Sequence, residues 1–549
     1  MRRNKLFVIV AVLVMVSVVA GCAPKEKLAT TLKWNLGAEP PTLDPQLATD
    51  TTSVDCDRGL FVGLTTIDAK TVEVIPDMAS KWSVSSDNLV WTFDLRDDVW
   101  WVSYDPATKK AKKERKVTAY DVEYGVKRCI NPETASDYAY VLYIIKNGEA
   151  LNTGESTDLD SLGVKAVSDT KIEFTLEQPA GYFPNIAGMW VAFPVPKEVI
   201  DEHGDKWTDP GNIWSNGPYL LDTWEHENKL VLVKNPYYYD AKNVAIETID
   251  CVMVVEDSTA FAMYENGELD VQPVPLDDID RVKADPVLSK ELYIAPRLCT
   301  YYYGFNVTKP PTDNLLVRKA LSYGIDRQKL IDTVTKGGQR PANAFACPGI
   351  FGSPWDNPDY KGPHFDADMA RKFLADAGYP DGAGFPEMTL MFNTSEGHQK
   401  IAQFIQGQWK EHLGVDIKMA NQEWKVYLKT LTEDSPQVWR LGWCADYTDE
   451  NNWVTEVFHP GIGANRAKWP EDDPAAIEFM KACEDAAAES DPAKRKELYF
   501  RAETILCEEY CTIIPIYFYT RVVCTKPYVE RVYMPLGGQG WHLWKVKAH

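Results

Sequence analysis

Apolar and polar positions alternate from Leu32 to Leu36, with Leu32, Trp34 and Leu36 on one side, which predicts a short strand. Gly37, Pro40 and Pro41 then turn the chain. A second period of two runs through residues 90–96 as Val-Trp-Thr-Phe-Asp-Leu-Arg. Trp82-Ser83-Val84 precedes it across Ser85-Ser86-Asp87-Asn88, so a half-buried hairpin is expected within 72–101. The basic run 109–116 reads as the exposed tip of a further hairpin. Thr118, followed three residues later by Asp121, has the form of a helix N-cap, and the helix should run to Ile130, where Asn131-Pro132 stops it. Strands are expected to dominate from there to residue 255.

Beyond residue 300 the period lengthens. Helical patterns occupy 315–335, 367–377 and 399–413, each followed by a glycine (Gly337, Gly378, Gly414) placed to end it. A helical pair is expected over 475–510. These helices alternate with strand-like runs at 388–393 and 415–419, the mark of an α/β layer.

The N-terminus carries an address. Arg2, Arg3 and Lys5 precede an apolar run over 6–20 broken only by Ser17, and its 15 residues fall short of the roughly 20 that span a bilayer. Val19-Ala20-Gly21-Cys22 has the form of a bacterial lipobox, with Cys22 as the acceptor of a diacylglycerol. Residues 1–21 are therefore expected to be a signal peptide and 22–30 a lipidated stalk. The mature protein is expected to be exported and lipid-anchored to the cell membrane, facing the periplasm or the cell exterior. Losing three cations with the signal takes the formal charge from −22 to −25. Of 11 cysteines, ten remain beyond Cys22, a count that permits pairing in an exported protein without requiring it.

Composition narrows the function. The 549 residues, 45% hydrophobic and 25% charged, suit a folded chain of two to four domains. With 58 Lys and Arg against 80 Asp and Glu, the charge repels phosphate backbones and excludes a nucleic-acid partner. Aromatic residues reach 12%, material for a core or for surfaces that grip extended ligands. No phosphate loop, His-Glu-x-x-His or Gly-x-Ser-x-Gly occurs, so no motif supports an enzyme. Cys507 and Cys511 share a helical face without a nearby histidine, and read as packed residues or disulfide halves rather than a zinc site. No metal or other cofactor is expected.

The most informative run is Arg440-Leu441-Gly442-Trp443-Cys444-Ala445-Asp446-Tyr447. With Leu298-Cys299-Thr300-Tyr301-Tyr302-Tyr303, Asn393-Thr394-Ser395-Glu396-Gly397-His398 and Asn421-Gln422-Glu423-Trp424, it resembles the oligopeptide-binding lipoproteins of peptide ABC importers, the family 5 extracellular solute-binding proteins. Glu39-Pro40 with Leu43-Asp44-Pro45, Val117-Thr118-Ala119 and Ser215-Asn216-Gly217-Pro218-Tyr219 extend the likeness along the chain.

The resemblance implies an α/β, two-lobed periplasmic-binding-protein-like fold (type II) of three domains. Residues 31–51, 193–298 and 520–549 would form a discontinuous domain I, 52–192 domain II and 299–519 domain III, with the ligand cleft between the lobes. It implies a disulfide between Cys299 and Cys444, and the pairing of Asp446 with a peptide's α-amino group. It implies backbone contacts from Gly442, Tyr302 and Tyr138, pocket walls from Trp424 and Trp443, and His398 and Arg440 at the ligand's C-terminal side. Glu39, Pro40 and Pro41 would supply a strand edge. The expected protein is a monomeric receptor that binds an oligopeptide and hands it to a membrane permease. The alternative is the same fold carrying a cell-wall peptide, a signalling peptide or an oligosaccharide. Two departures bear on ligand length: Gly304 stands where the family has an acid, and Leu431 and Thr432 replace a basic pair, unless Lys429 substitutes.

Overall fold

The strand Thr31–Asn35 forms where the alternation places it and pairs in parallel with Thr248–Val252, inside a four-stranded sheet completed by Lys229–Lys234 and Tyr219–Glu225. The computed structural model describes residues 30–536 and 538–548. The expected signal peptide, Cys22 and the stalk up to residue 29 lie outside them. Among the described residues no helix is long and apolar enough to cross a membrane.

The expected hairpin is Ala79–Val84 with Val90–Leu95. Trp91, Phe93 and Leu95 are buried while Val90, Thr92 and Asp94 are half-buried, so the period of two is the period of burial. Asn88 takes the left-handed turn position at φ 59°, which asparagine tolerates. Lys171–Thr175 and Val164–Ser168 extend this pair to four strands.

The lysine run departs from its expected form. Lys110–Lys116 is a strand paired with Trp100–Asp105 at the edge of a three-stranded sheet, and the turn lies before it, with Lys109 at φ 55°. Lysines on an edge strand keep their ammonium groups in water and deter further pairing.

The helix Ala119–Ile130 starts on the Thr118–Asp121 capping box and ends at Asn131. The region to residue 255 is less strand-rich than expected: Pro132–Thr134, Ala139–Leu142, Gly148–Asn152, Phe183–Ile186 and Trp190–Ala192 are single helical turns. Their buried aromatic residues, such as Phe183 and Trp190, give strand-like hydrophobicity without a ladder.

The expected helix at 315–335 divides. Leu315–Tyr323 stops at Gly324, and Arg327–Leu330 restarts on Asp326, whose carboxylate accepts from the Lys329 amide. The helical continuation Ile331–Thr335 then ends on Lys336 at φ 47°, one residue before Gly337. The next two helices are Ala367–Asp376 and Glu396–Leu413, the latter closed by Gly414 at φ 68°. The strand expected at 415–419 lies at Lys418–Gln422, parallel to Thr389–Asn393. The helical pair is Pro474–Ala488 and Pro492–Thr504, and Cys507 and Cys511 are free, buried thiols.

A seven-stranded sheet dominates the second half. Its path runs Val271–Pro273, Ile513–Thr525, Leu292–Phe305, Val438–Cys444, Thr389–Asn393, Lys418–Gln422, and the seventh strand, Arg340–Pro341, pairs with Ile513–Thr525 off that path. The strands Leu292–Phe305 and Ile513–Thr525 are 14 and 13 residues long and pair along most of their length. Their far end is tied to the first sheet through Asp270, which bonds the main chain of Lys33 and Lys526. These strands carry the chain between the two sheet systems, and their register shifts between Pro296 and Thr300.

Candidate functional site

A cavity of about 350 Å³ lies between the two sheet systems. One wall is the start of the helix Thr51–Leu60 with Tyr138 and Trp190; the other is the strand Val438–Cys444 and its continuation to Asp446. The sides are closed across long sequence separations. The Tyr138 hydroxyl donates to Asp446 Oδ2 at 2.9 Å, Trp424 Nε1 donates to Asp50 Oδ1 at 3.2 Å, and the Tyr182 and Tyr447 rings stack at 5.5 Å.

Asp446 is held by its own loop. Its amide donates to Asn452 Oδ1, and its Oδ2 accepts from Asn452 Nδ2, both at 2.9 Å. Asn452 also donates to Glu456, whose carboxyl is pushed up to about 8, chiefly by burial. Both side-chain bonds fall on Oδ2 of Asp446, and Oδ1 accepts none among the described residues. Burial raises the Asp446 pKa, opposed by its two hydrogen bonds and by Arg58. A half-buried carboxylate with one free oxygen at a cavity wall is an acceptor for a cation.

The strand before Asp446 offers main chain. Cys299 and Cys444 are directly opposed and disulfide-bonded, with Cα atoms 4.0 Å apart, the spacing of a non-hydrogen-bonded pair. Two residues earlier Gly442 opposes Tyr301 in the same phase. The N–H and C=O groups of Gly442 and Cys444 therefore point away from the tyrosine strand. On that side the neighbour Thr389–Asn393 pairs only with Val438 and Trp439. Tyr427 satisfies the main chain of Arg440, and beyond it the edge is open to the cavity. A Cβ at 442 would lie 2.9 Å from the Tyr519 hydroxyl, so any larger residue would have to displace that side chain.

Tyr138 packs between Trp190 and Trp443, with ring centroids 5.5 and 6.5 Å away. Trp424 opens the helix Trp424–Asp434 and lines the cavity with Leu428. Arg440 lies 4.5 Å above the Tyr301 ring and donates to Asn393 and to the Tyr519 hydroxyl, while its Nε has no partner among the described residues. His398, in the first turn of Glu396–Leu413, is held well below its usual pKa by burial and the Arg440 charge, so it is neutral.

Of the residues expected at the site, Asp446, Gly442, Trp443, Trp424, His398, Arg440 and Tyr138 line this one cavity. Tyr302 does not: its ring is in the core against Phe345, Trp439 and Phe458, and its strand is flanked on both sides by partner strands. Glu39 accepts from His226 and the Glu227 amide, and neither it nor Pro40 or Pro41 lines the cavity. Lys429 is exposed near Glu433 and does not reach it either. At Gly304 a Cβ would fall 2.2 Å from the Trp439 ring, which fills the space an acid would need. Sequence reasoning missed Asp50, Arg58, Arg297, Arg466 and Tyr519. Of these only Asp50 had a local signal, as the N-cap of Thr51–Leu60.

Residues 73–465 match the family model for bacterial extracellular solute-binding proteins, family 5. The oligopeptide-binding protein OppA of Bacillus subtilis is 36% identical over 518 residues, covering 93% of this chain and 91% of that protein. The structure of the Escherichia coli murein tripeptide binding protein MppA superimposes with a TM-score of 0.84 at 31% identity, over 95% of this chain and all of that one. Haemophilus influenzae OppA in complex with the peptide RPPGFSPFR gives 0.83 at 28% identity, over 95% of this chain and 100% of that chain. With the match covering most of its length, the chain belongs to family 5 of the bacterial extracellular solute-binding proteins.

Proposed function

We propose that the protein is an extracytoplasmic receptor that captures oligopeptides between two lobes and delivers them to an ABC-type permease. One observation carries this reading: the open main-chain edge at Gly442 and Cys444 ends on the half-buried Asp446 carboxylate, inside the cavity. An extended peptide offers a backbone to such an edge and an ammonium group to such a carboxylate. Both are common to every peptide, so the site reads what peptides share. Trp424, Trp443 and Leu428 then supply walls for side chains. Arg440 takes the terminal carboxylate, with neutral His398 as a hydrogen-bonding neighbour. Tyr302 and the Glu39–Pro41 segment support the cleft from outside its lining.

The same proposal includes a lipid anchor at Cys22, a monomer, and a division into domains I, II and III at the boundaries given above. The boundaries at 298/299 and 519/520 fall within the two long strands, where the shift between Pro296 and Thr300 provides a place to bend. No bond is made or broken in the ligand. An oligosaccharide is the weaker reading, because it leaves the Asp446 charge without a counter-ion. The proposal is tested by calorimetric titration with tri- to pentapeptides of unrelated sequence and with glycans. Several peptides should bind with similar affinity and glycans should not; binding of glycans alone would overturn it.

A further inference from the structure

Four arginines gather at the cavity with too little negative charge to match them. Arg58 and Arg297 line it, Arg58 with its guanidinium 5.7 Å over the Trp190 ring. Arg521 and Arg531 lie within electrostatic reach of Arg297 and of each other, Arg531 over the Trp544 ring and Arg521 over Tyr533. The chain brings them together from the helix Thr51–Leu60, the two long crossing strands and the C-terminal segment. Arg521 sits opposite Ala295, two residues before Arg297.

One carboxylate acts on all four, that of Asp55. It is bridged rather than bonded: Arg521 Nη1 donates to Gln539 Oε1, and Gln539 Nε2 donates to Asp55 Oδ2, each at 3.1 Å. Burial raises the Asp55 pKa, which weakens it further as a counter-ion. Arg58 also faces Asp446 and Asp57, and the Asp57 carboxyl is raised strongly by burial. Among the described residues none of the four arginines forms an ion pair. Among the described residues the buried Nε of Arg297, Nε and Nη2 of Arg521, and Nε and Nη1 of Arg531 have no hydrogen-bond partner. Burial and mutual repulsion push the Arg521 guanidinium down to about 9 and Arg531 to about 10. In a chain with a formal charge of −22, an unpaired cationic cluster beside a ligand cavity is a local reversal of charge. Buried N–H groups in that state are costly unless something anionic completes them. Guanidinium forks match a carboxylate.

We propose that Arg58, Arg297, Arg521 and Arg531 form a second anion subsite, which takes the side-chain carboxylate of an aspartate or glutamate near the N-terminus of the bound peptide. The proposal rests on the peptide reading above and adds a substrate class to it. The side chain, rather than the C-terminal carboxylate, is the occupant because Arg58 lies within reach of Asp446, the ammonium acceptor. In an extended peptide the terminal carboxylate is at the other end.

The test is calorimetry with tetra-alanine and its derivatives carrying glutamate or glutamine at position one, two or three. For the wild type, glutamate should bind at least tenfold tighter than glutamine at position one or two. R297Q and R521Q should each bring that ratio to within threefold, with the melting temperature of the ligand-free variants as the check on folding. Equal affinities at every position would overturn the subsite while leaving the peptide reading standing, and this comparison needs no variant. A preference that survives both substitutions would also overturn it. The series is repeated with C-terminal amides: a preference that persists supports the side chain, and one that vanishes assigns the site to the terminal carboxylate instead. If no peptide binds, both proposals fall.

Discussion

Replacing Asp446 by asparagine isolates the charge on which the peptide reading depends. The change keeps the shape but places an amide where Oδ1 faced the cavity and Oδ2 accepts from Tyr138 and Asn452. One orientation opposes the amide to those donors, and the other opposes it to the ligand ammonium. An ion pair at about 3 Å with an effective dielectric constant of about 20 is worth roughly 5 kcal/mol before desolvation is subtracted. Truncating one partner of a buried charge pair costs about 2–5 kcal/mol, a loss of roughly 30-fold to several thousand-fold in affinity. Calorimetry with a free-amine peptide and its N-acetyl form, on wild type and D446N, completes a double-mutant cycle. The free-amine peptide should lose the larger part and the acetylated one little. Equal losses would refute the assignment of Asp446 to the ligand amine.

Four further outcomes follow from the same geometry. Burial raises the Asp446 pKa in the empty cleft and an ammonium would lower it, so peptide affinity should fall as pH drops through the raised value; binding near that pH should release protons, measurable as a dependence of calorimetric heat on buffer ionisation. G442A should weaken binding sharply, because its Cβ meets the Tyr519 hydroxyl on the open edge, and overpacking of this kind costs about 1–3 kcal/mol in thermal or denaturant unfolding. Removing the Cys299–Cys444 bond, which closes a loop of 145 residues in sequence, should cost about 2–4 kcal/mol in denaturant unfolding of C299S/C444S. C22S should carry no radioactive palmitate in membrane fractions, whereas the wild type does.

Local chemistry was the legible part of the chain. The alternation at Trp91, Phe93 and Leu95, the box at Thr118 and Asp121 and the stop at Gly414 each depend on residues within a few positions, and each is found in place. The run from Arg440 to Asp446 identified one wall of the site, because a strand and its loop are contiguous. Parity on a strand was not legible: among Tyr301, Tyr302 and Tyr303, Tyr301 is the one beneath Arg440, and the register with both neighbours decides it. The opposite wall was also hidden. Asp50, Arg58 and Arg297 reach the cavity only because the crossing strands bring distant segments together, and nothing beside them in sequence marks that meeting. The lysine run misled because its charges conceal a ladder that only main-chain pairing reveals.

The central claim is that the open edge at Gly442 and Cys444, ending on Asp446, holds peptides by what they have in common. Native mass spectrometry of the protein purified from its host without unfolding tests it most directly. The account predicts a distribution of added masses that dissociates into free-amine peptides of mixed sequence and is lost in D446N. A wild-type protein carrying a single non-peptide solute, retained unchanged by D446N, would contradict it.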